Sequence, residues 1–316
     1  MISTSAEIPQ TELIETSALE SFQKANPDLF QKNDAELFRH LGIVIALLIL
    51  FTSAAIFSQF ILMKIIFGAL SALCWFSLIN VTIHHHHTHH NAANSPGARK
   101  ILDSIYFFVI PNAKKRKPRY VRAHLNHHAR PFHESDLDHH YGTRQYLQMN
   151  RGFWTRCLYF LELTFIGAHV PGWEDDRYMN EIPMEKWNAN DYEKVKERER
   201  KKAWAVGLFQ WSLFFVFLRL IPSLAWGWIF PMLLVKNWAH YLGQFQHYEE
   251  RFLEENRSEW RRTRTFQVPG WFNYLMGGEI SGHFLHHLYP QIPYYYMERA
   301  RQRFVQNPQL VELFLS

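Results

Sequence analysis

An apolar block from Leu41 to Ile83, about 43 residues long, limits what this chain can fold into more than any other feature. It is twice the ~20 residues that a helix needs to cross a bilayer, and its only charged side chain is Lys64. Ser58-Gln59 and Lys64 mark a turn near its middle, so the block reads as two membrane spans, at 41–58 and 64–83. A second apolar block runs from Ala203 to about Tyr241 and is broken by Arg219 and Pro222-Ser223. It predicts two further spans, at 203–220 and 224–243. Ahead of the first span, Asn33-Asp34-Ala35-Glu36 has the form of a helix start, with acids where the helix dipole favours them. Phe, Trp and Tyr make up 16% of the chain, a content that fits contact with lipid.

Between and after these blocks the chain is polar. Ile101–Val109 is too short to span, and Phe153–Val170 carries Arg156, Glu162 and His169. Both read as helices at the membrane interface. Basic residues crowd 96–130, 194–202 and 251–264, and the positive-inside rule assigns all three to the cytoplasm. The expected architecture is all-α and integral to the membrane. Four transmembrane helices form two hairpins beneath a cytoplasmic helical cap, and both termini are cytoplasmic. Residues 1–40 form an N-terminal segment, 41–305 the main domain and 306–316 a short tail. Cys74 and Cys157 both lie in apolar stretches, which argues against a disulfide framework and against cysteine-held zinc or iron–sulfur sites. The net charge of +5 is modest, and no nucleic-acid partner is expected.

Three histidine clusters carry the chemistry. The first is His84-His85-His86-His87-Thr88-His89-His90, the second His124-Leu125-Asn126-His127-His128 and the third His283-Phe284-Leu285-His286-His287. The last two share the pattern H-x-x-H-H, and positions i, i+3 and i+4 lie on one face of a helix. Each can aim three imidazoles at one point, and the topology puts all three clusters at the same membrane face. Imidazole suits zinc, copper, iron and nickel. Eight or more imidazoles exceed what one first-row ion takes, so two metals are expected, with iron and zinc both open. The first cluster is internal and interrupted by Thr88, unlike an affinity tag. In α-helical register His86 pairs with His90 and His85 with His89, but the two pairs face different directions. His240 and His247 follow the fourth span. His133, His139 and His140 read as a solvated loop, and His40 and His169 as structural.

The order of these clusters around two span pairs, with the run His283-Phe284-Leu285-His286-His287-Leu288-Tyr289-Pro290-Gln291-Ile292-Pro293-Tyr294, resembles the membrane fatty acid desaturase superfamily. Asp136-Leu137-Asp138 after the second cluster and Gln246–Glu249 after the fourth span are similar to segments of bacterial acyl desaturases. The resemblance covers about residues 40–305. It implies a di-iron centre held by His86, His90, His124, His127, His128, His247, His283, His286 and His287. His85, His89 and His240 are further candidates, as ligands or as neighbours of ligands. The first cluster departs from the usual boxes because histidine fills nearly every position, so the pairs His85–His89, His84–His89 and His85–His90 stay open.

The resemblance also implies the reaction: dioxygen and two external electrons are used to remove hydrogen from an unactivated methylene, giving a double bond in a fatty acyl chain. The substrate is a membrane lipid or acyl thioester, and Lys and Arg of 114–130 are candidates to hold its anionic head. A hydroxylase, ketolase or acetylenase of a lipid, alkane or carotenoid is the alternative within the superfamily. A histidine-rich metal transporter or buffer is the alternative outside it. No His-Pro-Gly-Gly signature of a fused cytochrome b5 is present. Ferredoxin, rubredoxin or cytochrome b5 with its reductase is therefore the expected electron donor.

Overall fold

The computed structural model describes residues 10–109, 208–235 and 265–315, and residues 121, 124, 125, 127, 128, 154, 205 and 238 besides. The regular structure among them is helical. Helix α1 (Gln10–Ala25) leads through a 3-10 turn (Pro27–Phe30) to α2 (Asp34–Phe57), α3 (Ile61–Asn80) and α4 (Pro96–Val109).

Helix α2 starts where the sequence predicts. The Asn33 side chain accepts hydrogen bonds from the backbone N–H groups of Ala35 (3.0 Å) and Glu36 (3.4 Å), two donors that a helix start leaves without intrahelical partners. The Asp34 carboxylate accepts from the N–H groups of Asn94 (2.7 Å) and Ser95 (2.9 Å). Ser95 Oγ in turn accepts from Ala98 N at 3.2 Å and caps α4. The starts of α2 and α4 are thereby tied together. At the other end of α2 the turn occupies residues 58–60. Lys64, in the first turn of α3, donates through Nζ to the carbonyls of Ala55 (3.3 Å) and Ile56 (3.0 Å). The one cation of the apolar block thus satisfies carbonyls that the end of α2 leaves open.

The 24 residues of α2 span about 36 Å, enough to cross a hydrocarbon core of ~30 Å. Its most apolar stretch is only 22% buried, and that of Ile61–Thr88 44%. Ile49, Leu50, Phe57, Phe60 and Leu62 are each more than half exposed. A core helix of a soluble domain hides such side chains, and an apolar surface of this extent is suited to lipid.

In the region where a second hairpin was expected lie α5 (Leu208–Leu220) and α6 (Pro222–Val235), both apolar and shorter than the first pair. They part at Ile221, whose backbone is driven out of the helical region (φ −141°, ψ 74°) ahead of Pro222. Among the described residues two helices are long and apolar enough to cross a membrane. The remainder of the expected spans at 203–220 and 224–243, apart from residues 205 and 238, lies outside the described residues. So do the expected interfacial helix 153–170, apart from residue 154, and the basic segments 194–202 and 251–264. Helix α6 meets the first hairpin at two glycines. A Cβ on Gly68 would stand 2.6 Å from Phe230 Cδ1, and one on Gly227 would stand 2.8 Å from Ile56 Cδ1.

The C-terminal helices are α7 (Gly270–Leu275), α8 (Glu279–Leu288), α9 (Met297–Val305) and α10 (Pro308–Leu315). Gly278 joins α7 to α8 at φ 76°, and a Cβ there would meet the Tyr294 carbonyl at 2.6 Å. The Asn273 side-chain oxygen accepts from Ile280 N (3.1 Å) and Ser281 N (2.9 Å) and caps α8. A single buried cluster, including Leu29, Leu37, Leu78, Leu102, Ile292 and Phe304, joins these helices to the first four.

Candidate metal centre

The first histidine cluster does not continue α3 as an α-helix. Val81–Thr88 forms a π-helical segment, in which the N–H of His89 donates to the carbonyl of His84 at 3.0 Å. Thr88 Oγ1 supports the wide turn by donating to the Ile83 carbonyl, five residues back, at 2.9 Å. In a π turn the five-residue spacing replaces the four-residue one. His84 and His89 therefore share a side. His84 stacks on His124 (centroids 4.5 Å apart, planes at 3°). His89 lies 4.6 Å from His128, 4.7 Å from His286 and 5.2 Å from His124.

The third cluster keeps α-helical register. His283, His286 and His287 share one face of α8, with the rings of His283 and His287 4.8 Å apart. The helix stops at Leu288, as the following Tyr289-Pro290 requires. From the second cluster, His128 Nε2 lies 3.0 Å from His124 Nε2 and 3.1 Å from His286 Nε2. His127 packs 5.0 Å from His287. Ligand-capable nitrogens of His89, His124, His128 and His286 all lie within 4.8 Å of one another.

Other candidates take different places. His86 is buried but points to Asp103 of α4, with Nε2 3.3 Å from Oδ1. His90 is exposed and sits at φ 53°. Neither belongs to the four-histidine group. His85 lies behind it, 5.4 Å from His286 and 5.1 Å from Tyr294. His40 is fully buried and paired with Tyr294 OH at 2.9 Å, in keeping with a structural part. His240 and His247 lie outside the described residues, as do His133, His139, His140, His169 and Gln246–Glu249.

The donor set fits a nitrogen-bound transition metal. Burial, reinforced by the neighbouring rings of His84, His128, His89 and His286, holds His124 well below the usual imidazole range. It is therefore neutral at physiological pH, and neutral imidazole is the form that ligates. A single metal accepts four imidazoles readily, while further rings of all three clusters pack around the group.

Sequence reasoning gave no role to two supporting residues. Asn91 donates through Nδ2 to the carbonyls of Pro290 (2.7 Å) and Ile292 (2.9 Å), binding the end of the first cluster to the loop after the third. Tyr294 is buried between His40 and His85. Neither carries a local signal, because both partners come from remote segments.

Residues 60–311 match the family model described as Fatty acid desaturase, and the chain belongs to that family. The match takes in all three histidine clusters. Comparison with curated proteins gives no match. Membership implies an oxidoreductase acting on a lipid, in a family whose members typically hold two irons. Together with the two long apolar helices it points to a membrane protein.

Proposed function

We propose that this protein is a membrane di-iron oxygenase that introduces a double bond into a fatty acyl chain. The reading is carried by the convergence of His89, His124, His128 and His286, drawn from three clusters far apart in sequence. The ligand set we assign is His84, His89, His124, His127, His128, His283, His286 and His287, with His247 retained from the sequence pattern. From the first cluster His84 and His89 replace His86 and His90, because the π register turns them toward His124. When bound, two iron ions would supply the activation of dioxygen, with two electrons from an external donor.

The chain's own residues hold and shield the site. Helix α8 presents its histidines from one face, His85 packs on the ring of His286, and Tyr294 in turn packs on His85. Burial of His124, His127, His283 and His286 keeps bulk water from the centre. Lys and Arg of 114–130 supply cations for an anionic lipid head or acyl carrier. The basic segments assign the histidine clusters and both termini to the cytoplasmic side.

Mass spectrometry of whole-cell lipids from cells expressing the wild type and His286→Ala tests the reading. The expected product lacks two hydrogen atoms relative to its precursor, and it is absent with the variant. Gain of one oxygen atom would instead make the protein a hydroxylase. Unchanged lipids with zinc as the only bound metal would favour a transporter or buffer.

A further inference from the structure

The geometry points to a second metal site, mononuclear and separate from the central group, formed by His86, His87 and Asp103. The first two residues stand on the π segment and the third on α4. His86 and His87 are 6% and 3% exposed, so both imidazoles are withdrawn from water. Their rings lie 4.5 Å apart, and Tyr106 closes on His87 edge-to-face at 4.4 Å. The Asp103 side chain remains 44% exposed and leaves a path to solvent.

The distances match the spacing of ligand atoms around one metal ion. Asp103 Oδ1 lies 3.3 Å from His86 Nε2 and 3.4 Å from His87 Nε2. Charge-assisted N–H···O bonds run shorter, at about 2.7–2.9 Å. In a tetrahedral zinc site with bonds of ~2.0–2.1 Å, neighbouring ligand atoms stand about 3.3–3.4 Å apart. One oxygen thus sits at a ligand-to-ligand spacing from two buried nitrogens, and all three atoms lie within 4.8 Å of one another. Two imidazoles and a carboxylate leave a fourth position open, on the exposed Asp103 side. This donor set suits Zn²⁺ or Fe²⁺ and is too rich in nitrogen for Mg²⁺ or Ca²⁺. The site lies outside the ligand set assigned above, so it stands or falls independently of the proposed reaction. A cation here would tie the π segment to α4 and stabilise the backbone register that presents His84 and His89.

Titration of the purified full-length protein with Co²⁺, followed by visible absorption and elemental analysis, tests the site. The wild type is expected to hold one more metal equivalent than Asp103→Asn, or to bind it at least about 10-fold more tightly. Asp103→Lys, which places an ammonium on the cation's side of the site, should abolish that equivalent. His286→Ala should reduce the central metal and leave this equivalent in place, so failure of the central assignment and failure of this one read differently. Equal stoichiometry and affinity in the wild type and both Asp103 variants would overturn the proposal.

Discussion

The third histidine cluster and the first offer the same ligand type but follow opposite rules. On α8 the spacing H-x-x-H-H becomes one helix face, and His283, His286 and His287 cooperate as their numbering predicts. In the π segment neighbouring histidines are parted. His84 and His89 turn to the central group, His85 lies behind it, His86 and His87 face Asp103, and His90 is exposed. Spacing identifies ligands only where the backbone period is known. A histidine-saturated segment in a rare helix type conceals its register because every register contains a histidine.

The strongest way to break this comparison is to remove His286, the third-cluster residue nearest the first cluster. His286→Ala is expected to cost about 100-fold or more in turnover and to lower bound metal, read by product formation and elemental analysis. Membrane insertion should be unchanged. Retained turnover would sink the central assignment.

A paired substitution sharpens the register itself. His89→Ala should lower turnover by about 10–100-fold, whereas His90→Ala, at an exposed position, should stay within about 2-fold of the wild type. An α-helical register pairing His86 with His90 predicts the reverse order for these two residues. Side-by-side assays of the two variants decide between the His86–His90 pairing and a pairing that uses His89.

Asn91→Ala addresses how the two clusters are joined. It leaves the buried carbonyls of Pro290 and Ile292 without the Asn91 donor. A loss of about 1–3 kcal/mol is expected, seen as a lower thermal midpoint of the purified protein. An unchanged midpoint would mean that the link is dispensable.

The smallest effect belongs to a control remote from both clusters. Arg303 donates to Asp28 at 2.7 Å and 2.9 Å, and this hydrogen bonding holds the Asp28 carboxyl below its ordinary value of 3.8. A carboxylate lowered on folding stabilises above the ordinary value, and that contribution is lost as pH falls through the lowered one. The pair is solvent-exposed, so Asp28→Asn should shift the midpoint at neutral pH by no more than about 2 °C. The difference should vanish in acid. A difference that grew on acidification would contradict the assignment.

Much of the fold is legible in sequence because its causes are local. Asn33 caps α2 through bonds to residues two and three positions on, and Pro222 ends the preceding helix by its own ring. The turn after Phe57 follows from Ser58-Gln59, although Lys64 belongs to α3 and reaches back to cap α2. The site is legible in part. That the clusters come together was expected from their number and chemistry, and the shared face of His283, His286 and His287 follows from the period of α8.

Sequence by itself determined the apolar helices, their caps and breaks, the nitrogen-rich chemistry and the face of the third cluster. Each depends on side-chain type and on neighbours within one or two turns. Only the tertiary structure decided which first-cluster histidines meet His124, His128 and His286. That choice follows the π turn held by Thr88 and Ile83, the long-range clamp of Asn91 on Pro290 and Ile292, and the approach of Asp103 from α4. Two of these three constraints come from segments the local sequence does not contain, and the π turn leaves little mark in a run where nearly every position offers the same side chain.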